Sequence, residues 1–418
     1  MKRQYIRSER AHFMCPNMHF GIAFQHAVEY DAQRFQLGLQ ALAAAHPFLN
    51  CIIVQEESGA LYYADTGSST IDVTIRDVKA EFREDYRRLG ERAWDVFHNG
   101  LLKVFCYPQR KAGCQILFVA HHLLCDGRGL LQLVTEFADY YAEGKNPTCV
   151  EEQLITSASD LPEKSSLSGI SRLLVQRMNR LWRKERQMLS YAQFTAFSEQ
   201  FAKDNPCGYL GGSLSEKRLL EIKAFCHKAQ VSVNDYLLAV LFSTADTEKI
   251  VIGVDARSEI ACYRSGAMGN YSSAIGIVYK NRKAEFTEKA REIHCLIEKY
   301  RQDKRKWMLV LACYLEMEPG LVDAAAIASL GNFKSRPAKL VGNAMFGFHP
   351  GTGVSLTNLG SVENKNILSA VFIPPLSPSA KEVIGVLTMN GRMEVTGSFY
   401  RKKISEEEMQ RQLHELTM

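Results

Sequence analysis

Two adjacent histidines, His121 and His122, are followed at fixed spacing by Asp126 and Gly127 in the order HHxxxDG. Composition alone produces this pattern in roughly one chain in a thousand of this length, so it calls for a reason. An imidazole with its ordinary pKa of about 6.5 is neutral near pH 7 and can take a proton from a hydroxyl or amine attacking a carbonyl. His122 is the candidate for that general base. For His121 the favoured reading is structural, a hydrogen-bonded ring at a strand end. Metal binding competes weakly: neighbouring strand residues point to opposite faces, so the pair cannot easily grip one ion, and no third ligand is evident. No metal is expected. Cys125, inside the motif, invites a nucleophile reading with His122 as its base, but nothing evident would orient that base.

The elements that must aim these groups are legible around them. Cys114 to Ala120 is an apolar run that reads as a strand ending at the histidines, and Gly127 opens a turn into a helix from about 129 to 141. Upstream, 17–26 alternates as a strand, and Asp31 is a plausible N-cap for a helix with Phe35, Leu39 and Leu42 at helical spacing, stopping at His46 before Pro47. Further strands are expected at 48–55, 61–64 and 101–107, and a helix over 82–97. The stretch 146–168 is rich in Ser, Pro and charge and marks a boundary. Beyond it, helices are expected at 215–230, 232–245 and 286–306, and strands at 250–254, 354–357, 370–373, 383–389 and 392–400. Ser405 and Glu408 form a capping-box pattern opening a last helix.

At 418 residues, with 46% hydrophobic and 23% charged side chains, the chain is globular and long enough for two units of about 100–200 residues each. No apolar run reaches the roughly 18 residues that span a bilayer. The N-terminus lacks the apolar core of a secretory signal, which makes the cytoplasm the expected location. Eleven scattered cysteines without a Cys-x-x-Cys fit neither a disulfide framework nor a structural zinc site. The net charge of +5 is localised. Between Ile170 and Ser190 lie Arg172, Arg177, Arg180, Arg183, Lys184 and Arg186 against Glu185 alone, so this segment holds the whole excess. Leu173, Leu174, Met178, Leu181 and Trp182 are interleaved at helical spacing, which predicts an amphipathic helix with a cationic face. Such a face suits CoA phosphates, an acidic carrier protein or peripheral contact of 170–190 with an anionic membrane; a solvated helix between lobes is the plain alternative. Nucleic-acid binding is not expected from so short a patch.

The block His121 to Gly127 resembles the active-site signature of the chloramphenicol-acetyltransferase-like superfamily, which includes condensation domains, alcohol acetyltransferases, wax ester synthases and plant acyltransferases. The resemblance extends in order through Ser232 to Ala239, Val254-Asp-Ala-Arg257, Gly269-Asn-Tyr-Ser-Ser273, Ser355-Leu-Thr-Asn-Leu-Gly360 and Asn390 to Thr396. It implies an α/β (α+β) fold of two lobes in a V-shaped pseudo-dimer with a tunnel between them. The expected division is 1–150 for the lobe carrying the motif, 151–200 for a linker with the basic helix, and 201–418 for the second lobe. It also implies a salt bridge between Asp126 and Arg257 that holds the motif loop; without the resemblance, Arg257 reads as an ordinary exposed arginine. Ser355, Thr357 and Asn358 are candidate donors to a developing oxyanion, with a polar turn before Gly360 as the equal alternative.

The activity implied is acyl transfer from a thioester to a hydroxyl or amine on a small-molecule acceptor. No bound cofactor is expected; acyl-CoA or a phosphopantetheine thioester serves as co-substrate, and an acyl or peptidyl carrier protein is a further candidate partner. Two alternatives stand beside it: nonribosomal-peptide-type condensation between carrier-bound substrates, and a catalytically silent relative that binds carriers or ligands. The His-Gln-Asp-Tyr-Pro-Phe-like segment of carrier-dependent condensation domains is not found after Lys280, which favours the freestanding acyltransferase.

Overall fold

The strand Cys114–His121 is apolar from Ile116 to Ala120 because both of its faces are covered there. Ile116 and Phe118 pack beneath the helices Ala32–Ala45 and Gly127–Glu143, where Phe118 meets Phe137 at 5.4 Å between ring centroids. On the other face Leu117 and Val119 join Phe82, Tyr86 and Phe105 in a separate apolar cluster under the helix Phe82–Leu89. The computed structural model describes residues 3–77, 79–108, 113–345 and 352–418.

This strand is central in a five-stranded sheet ordered Ile367–Ile373, His19–His26, Cys114–His121, Leu102–Pro108, Asp72–Ile75. All neighbours are antiparallel except the last pair. A second sheet of six strands is ordered Ser272–Val278, Lys249–Asp255, Gly353–Val362, Ala380–Met389, Arg392–Tyr400, Cys207–Ser213. A small three-stranded sheet joins Arg3–Tyr5, Leu61–Asp65 and Cys51–Gln55. Each large sheet carries its own helices, giving a two-lobed α/β molecule. No helix among the described residues is long and apolar enough to cross a membrane.

The caps do what their residue types predict. Asp31 accepts from the Arg34 amide at 2.7 Å and starts Ala32–Ala45. Ser232 and Asp235 form a reciprocal capping box at the head of Val233–Thr244, and Ser405 caps Glu406–Thr417.

The structure departs from the sequence expectations at several elements. The helix expected over 82–97 ends at Leu89, capped by Gly90; the residues after it turn so that the Trp94 indole N–H donates to the Gly100 carbonyl at 3.0 Å. The boundary segment 146–168 is packed onto the protein, with Glu152, Leu154, Ile155, Leu161 and Leu167 all buried. The strand Ile367–Ile373, assigned by sequence to the second lobe, lies in the first lobe's sheet, paired antiparallel with His19–His26.

Candidate active site between the lobes

The histidine strand ends where the main chain leaves the sheet. The His122 amide donates to the Met18 carbonyl at 2.7 Å, and the Leu123 amide donates to His121 Nδ1 at 3.2 Å. That bond turns His121 inward. It is 6% exposed, faces the Trp94 ring, and does not line the cavity. Burial, followed by the nearby His19 and His122, pushes its pKa down to about 3. The adjacent His122, the first residue past the strand, lines the cavity instead.

Asp126 is the hinge of the arrangement. Its Oδ1 accepts from the Gly129 amide at 3.0 Å, capping the helix Gly127–Glu143, and from Arg257 Nη2 at 2.7 Å. Its Oδ2 accepts from the Tyr271 amide at 2.9 Å. Burial alone would raise its pKa, but the Arg257 charge and these bonds hold it below the usual carboxylate value. Arg257 also reaches Asp255 at 3.1 Å. Gly127 allows a close approach: a Cβ there would come within 2.6 Å of Leu359 Cδ2 on the strand Gly353–Val362, so the leucine would have to move.

Because Asp126 grips the Tyr271 amide, the residue before it is delivered to the histidine. Asn270 Oδ1 lies 3.0 Å from His122 Nδ1, and Asn270 Nδ2 donates to the His122 carbonyl at 2.9 Å. The second bond orients the amide, so the oxygen faces the ring and must accept from Nδ1–H. Nε2 is then the unprotonated nitrogen of the neutral ring. Burial lowers the His122 pKa, against the opposing influence of Asp126, so the ring is neutral at pH 7.

His12, at the end of the short turn Ser8–His12, stacks on His122 with centroids 4.1 Å apart and planes 14° from parallel. Phe20 closes the other side at 5.0 Å. Burial, then the neighbouring His122 and His121, holds His12 well below its usual pKa, and its Nδ1 is buried without a hydrogen-bond partner.

These groups face a cavity of about 300 Å³ between the lobes. His12, Phe20 and His122 wall it from the first lobe; Asn270 and Arg257 from the second; Ser355, Thr357 and Asn358 from the strand Gly353–Val362. Asn358 Oδ1 accepts from the Gly360 amide at 2.9 Å, which leaves its NH2 as the donating end. A cleft of about 400 Å³ beside Arg76 and Arg88 is walled mostly by charged side chains and contains no histidine. Cys125 is fully buried away from the cavity, and burial pushes its thiol well above the ordinary value, so it is neither ionised nor reachable as a nucleophile. Among the described residues no group of three His, Cys, Asp or Glu is placed to hold a metal ion.

The site therefore gathers His122, Asp126, Gly127, Arg257, Ser355, Thr357 and Asn358 around one cavity and leaves His121 outside it. Two residues that the sequence reading gave no role also belong to it. Asn270 lies in the stretch Gly269–Ser273, whose pattern alone assigns it no role, and no spacing relates His12 to the motif.

No protein-family model matches the chain, and no curated protein matches it in sequence. Solved structures do match. The first condensation domain of the calcium-dependent antibiotic synthetase, in complex with a substrate analogue, superposes with a TM-score of 0.65 at 9% identity, covering 100% of this chain and 96% of that one. The TRI3 trichothecene 15-O-acetyltransferase from Fusarium sporotrichioides gives 0.65 at 12% identity, covering 99% and 93%. The epimerization domain from the third module of tyrocidine synthetase B gives 0.62 at 13%, covering 99% and 91%. The chain has the condensation-domain fold. Those three proteins are named for three different reactions, so the fold does not choose among them and the choice falls to the site.

Proposed function

We propose that this protein is an acyltransferase that moves an acyl group from a thioester to a hydroxyl or amine, with His122 Nε2 as general base. The observation that carries the reading is the pair of hydrogen bonds between Asn270 and His122, which favours a basic Nε2, at the wall of a cavity shared by both lobes. The acceptor's O–H or N–H gives its proton to Nε2 as its oxygen or nitrogen bonds to the thioester carbon. Collapse of the tetrahedral species breaks the C–S bond, and the departing thiolate recovers the proton from the imidazolium, which restores the neutral ring. Positive charge on that ring forms beside the buried carboxylate Asp126, which favours it electrostatically.

The Asn358 NH2 and the hydroxyls of Ser355 and Thr357 are the donors proposed for the oxyanion; one such donor is worth about 10²–10³ in rate. Holding both reactants in one cavity removes much of the entropic cost of their encounter. Acyl-CoA or a carrier-borne phosphopantetheine thioester is the proposed donor, and a small-molecule alcohol or amine the acceptor. Eleven free cysteines suit a reducing, cytoplasmic setting.

The test is thiol release from a panel of acyl-CoA esters with alcohol and amine acceptors. Turnover that vanishes in His122→Ala supports the reading. Reaction only between two carrier-bound substrates would indicate peptide-type condensation, and tight binding of acylated carrier without turnover of any donor would indicate a silent relative.

A further inference from the structure

We infer that the outer face of the helix Gly169–Glu185 is a docking surface for an anionic lipid bilayer. The inner face of this helix is firmly seated. Val175, Met178, Asn179 and Trp182 are buried, and Asn179 brackets a neighbouring turn by donating to the Glu316 carbonyl at 2.9 Å and accepting from the Glu318 amide at 2.9 Å. Arg172 and Arg183 pair with Glu316 and Glu318 along the flank.

The opposite face has no such partners. Ile170, Leu173 and Leu174 stand at i, i+3 and i+4 and are 76%, 68% and 51% exposed. The same stripe continues through Arg177, Arg180 and Lys184, which are exposed and make no ion pair among the described residues. A helix kept merely soluble would carry polar groups where these three aliphatics are. Large aliphatics followed along the same face by unpaired cations are what an interfacial helix presents to the acyl boundary and to acidic headgroups.

The geometry favours a bilayer over a protein partner. These three aliphatics project from the helix with more than half of their surface in water, and a fluid bilayer accommodates such side chains without the preformed recess that a protein partner would have to supply. A soluble phosphate ligand such as CoA would engage the cations and leave the aliphatics in water. The helix also backs onto Leu309–Glu316, whose Val310 and Leu311 wall the central cavity. A membrane held at this face lies one helix layer from the site. The inference itself stands on the surface and not on the acyl-transfer reading.

The experiment is co-sedimentation of the full chain with vesicles of phosphatidylcholine alone and of phosphatidylcholine with phosphatidylglycerol in equal parts. Binding to the anionic vesicles only, weakened by salt, is expected. The triple substitution Arg177→Gln, Arg180→Gln, Lys184→Gln should reduce partitioning about 100-fold, since each cation near an anionic surface contributes about five-fold. Leu173→Glu with Leu174→Glu should abolish it. All five side chains are exposed, so the unfolding midpoints of both variants should match that of the parent, which separates lost docking from lost fold. Failure of the parent to sediment with anionic vesicles, equal binding to neutral vesicles, or indifference to both variants overturns the inference. So does capture of an acidic acyl carrier protein, lost in the same variants, when vesicles are not bound.

Discussion

Asn270 engages His122 with both ends of its amide, accepting from the ring at Nδ1 and donating to the same residue's carbonyl. Because the second bond orients the first, the second lobe decides which imidazole nitrogen of the first lobe is basic. Asn270→Ala removes that control. Its bond holds the His122 pKa up against burial, so its loss should lower kcat about ten-fold while the acid limb of the pH–rate profile moves to lower pH. A purely structural role would change the rate without moving the limb.

Replacing the base itself is more severe. His122→Ala should lower kcat by about 10²–10⁴ with little change in the unfolding midpoint, because the side chain faces the cavity. On the proposed activity, kcat/KM of the unsubstituted protein should rise with pH and level off, with its acid limb below the ordinary histidine value, since burial lowers the His122 pKa. A limb well above that value would contradict the buried, neutral ring.

The ring of His12 lies flat on His122 with its Nδ1 unpartnered. If stacking is what it supplies, His12→Ala should cost about ten-fold in kcat and His12→Phe should recover most of it. Equal loss in both variants, read as kcat and KM separately, would assign the ring a polar contact to substrate instead.

Arg257 and Asp126 form a buried pair across the lobes, 11% and 4% exposed. Arg257→Ala strands the carboxylate and should destabilise the fold by about 3–5 kcal/mol, measured by denaturant unfolding. The folded pKa of Asp126 is depressed, so its stabilisation is present above the ordinary carboxylate value and lost as pH falls through the folded value. Without Arg257 that pKa rises, and mild acid should relieve part of the defect.

His46 is the opposite case. It is fully buried, 2.6 Å from Glu136 and 2.7 Å from Glu152; although burial opposes the charge, the two carboxylates raise its pKa to about 9. Glu152 moves up as well, through burial first. A raised folded pKa stabilises below the unfolded value of about 6.5 and is lost as pH climbs through about 9. The unfolding midpoint should therefore fall across that window, and His46→Gln should flatten the fall.

The parts of this molecule that were readable from sequence are those in which a local pattern has one cause. The motif strand reads as continuous apolar residues because both faces are covered, and Asp31, Ser232 and Ser405 mark helix starts because orphan amides need acceptors. The strand Cys207–Ser213 was invisible because of Gly208, Gly211 and Gly212, yet its packing demands one of them: a Cβ on Gly208 would lie 2.4 Å from the Phe399 ring. The helix Pro319–Ser329 is buried nearly all round, so it has no amphipathic period to detect. At the site, the motif names His122 and Asp126, but the partners that set the tautomer and stack the ring are brought in by tertiary folding. His12 lies 110 positions away and leaves no periodic trace.

The return of Ile367–Ile373 to the first sheet has a consequence for synthesis. Until the ribosome has delivered that stretch, the hydrogen-bonding edge of His19–His26 is bare while the rest of its sheet can already assemble. An early-folding half therefore waits, with an open template for misplaced strands, until the chain has emerged as far as Ile373. Halves translated as separate messages should each be sticky, and co-expression should rescue them only to the extent that the late strand finds its berth.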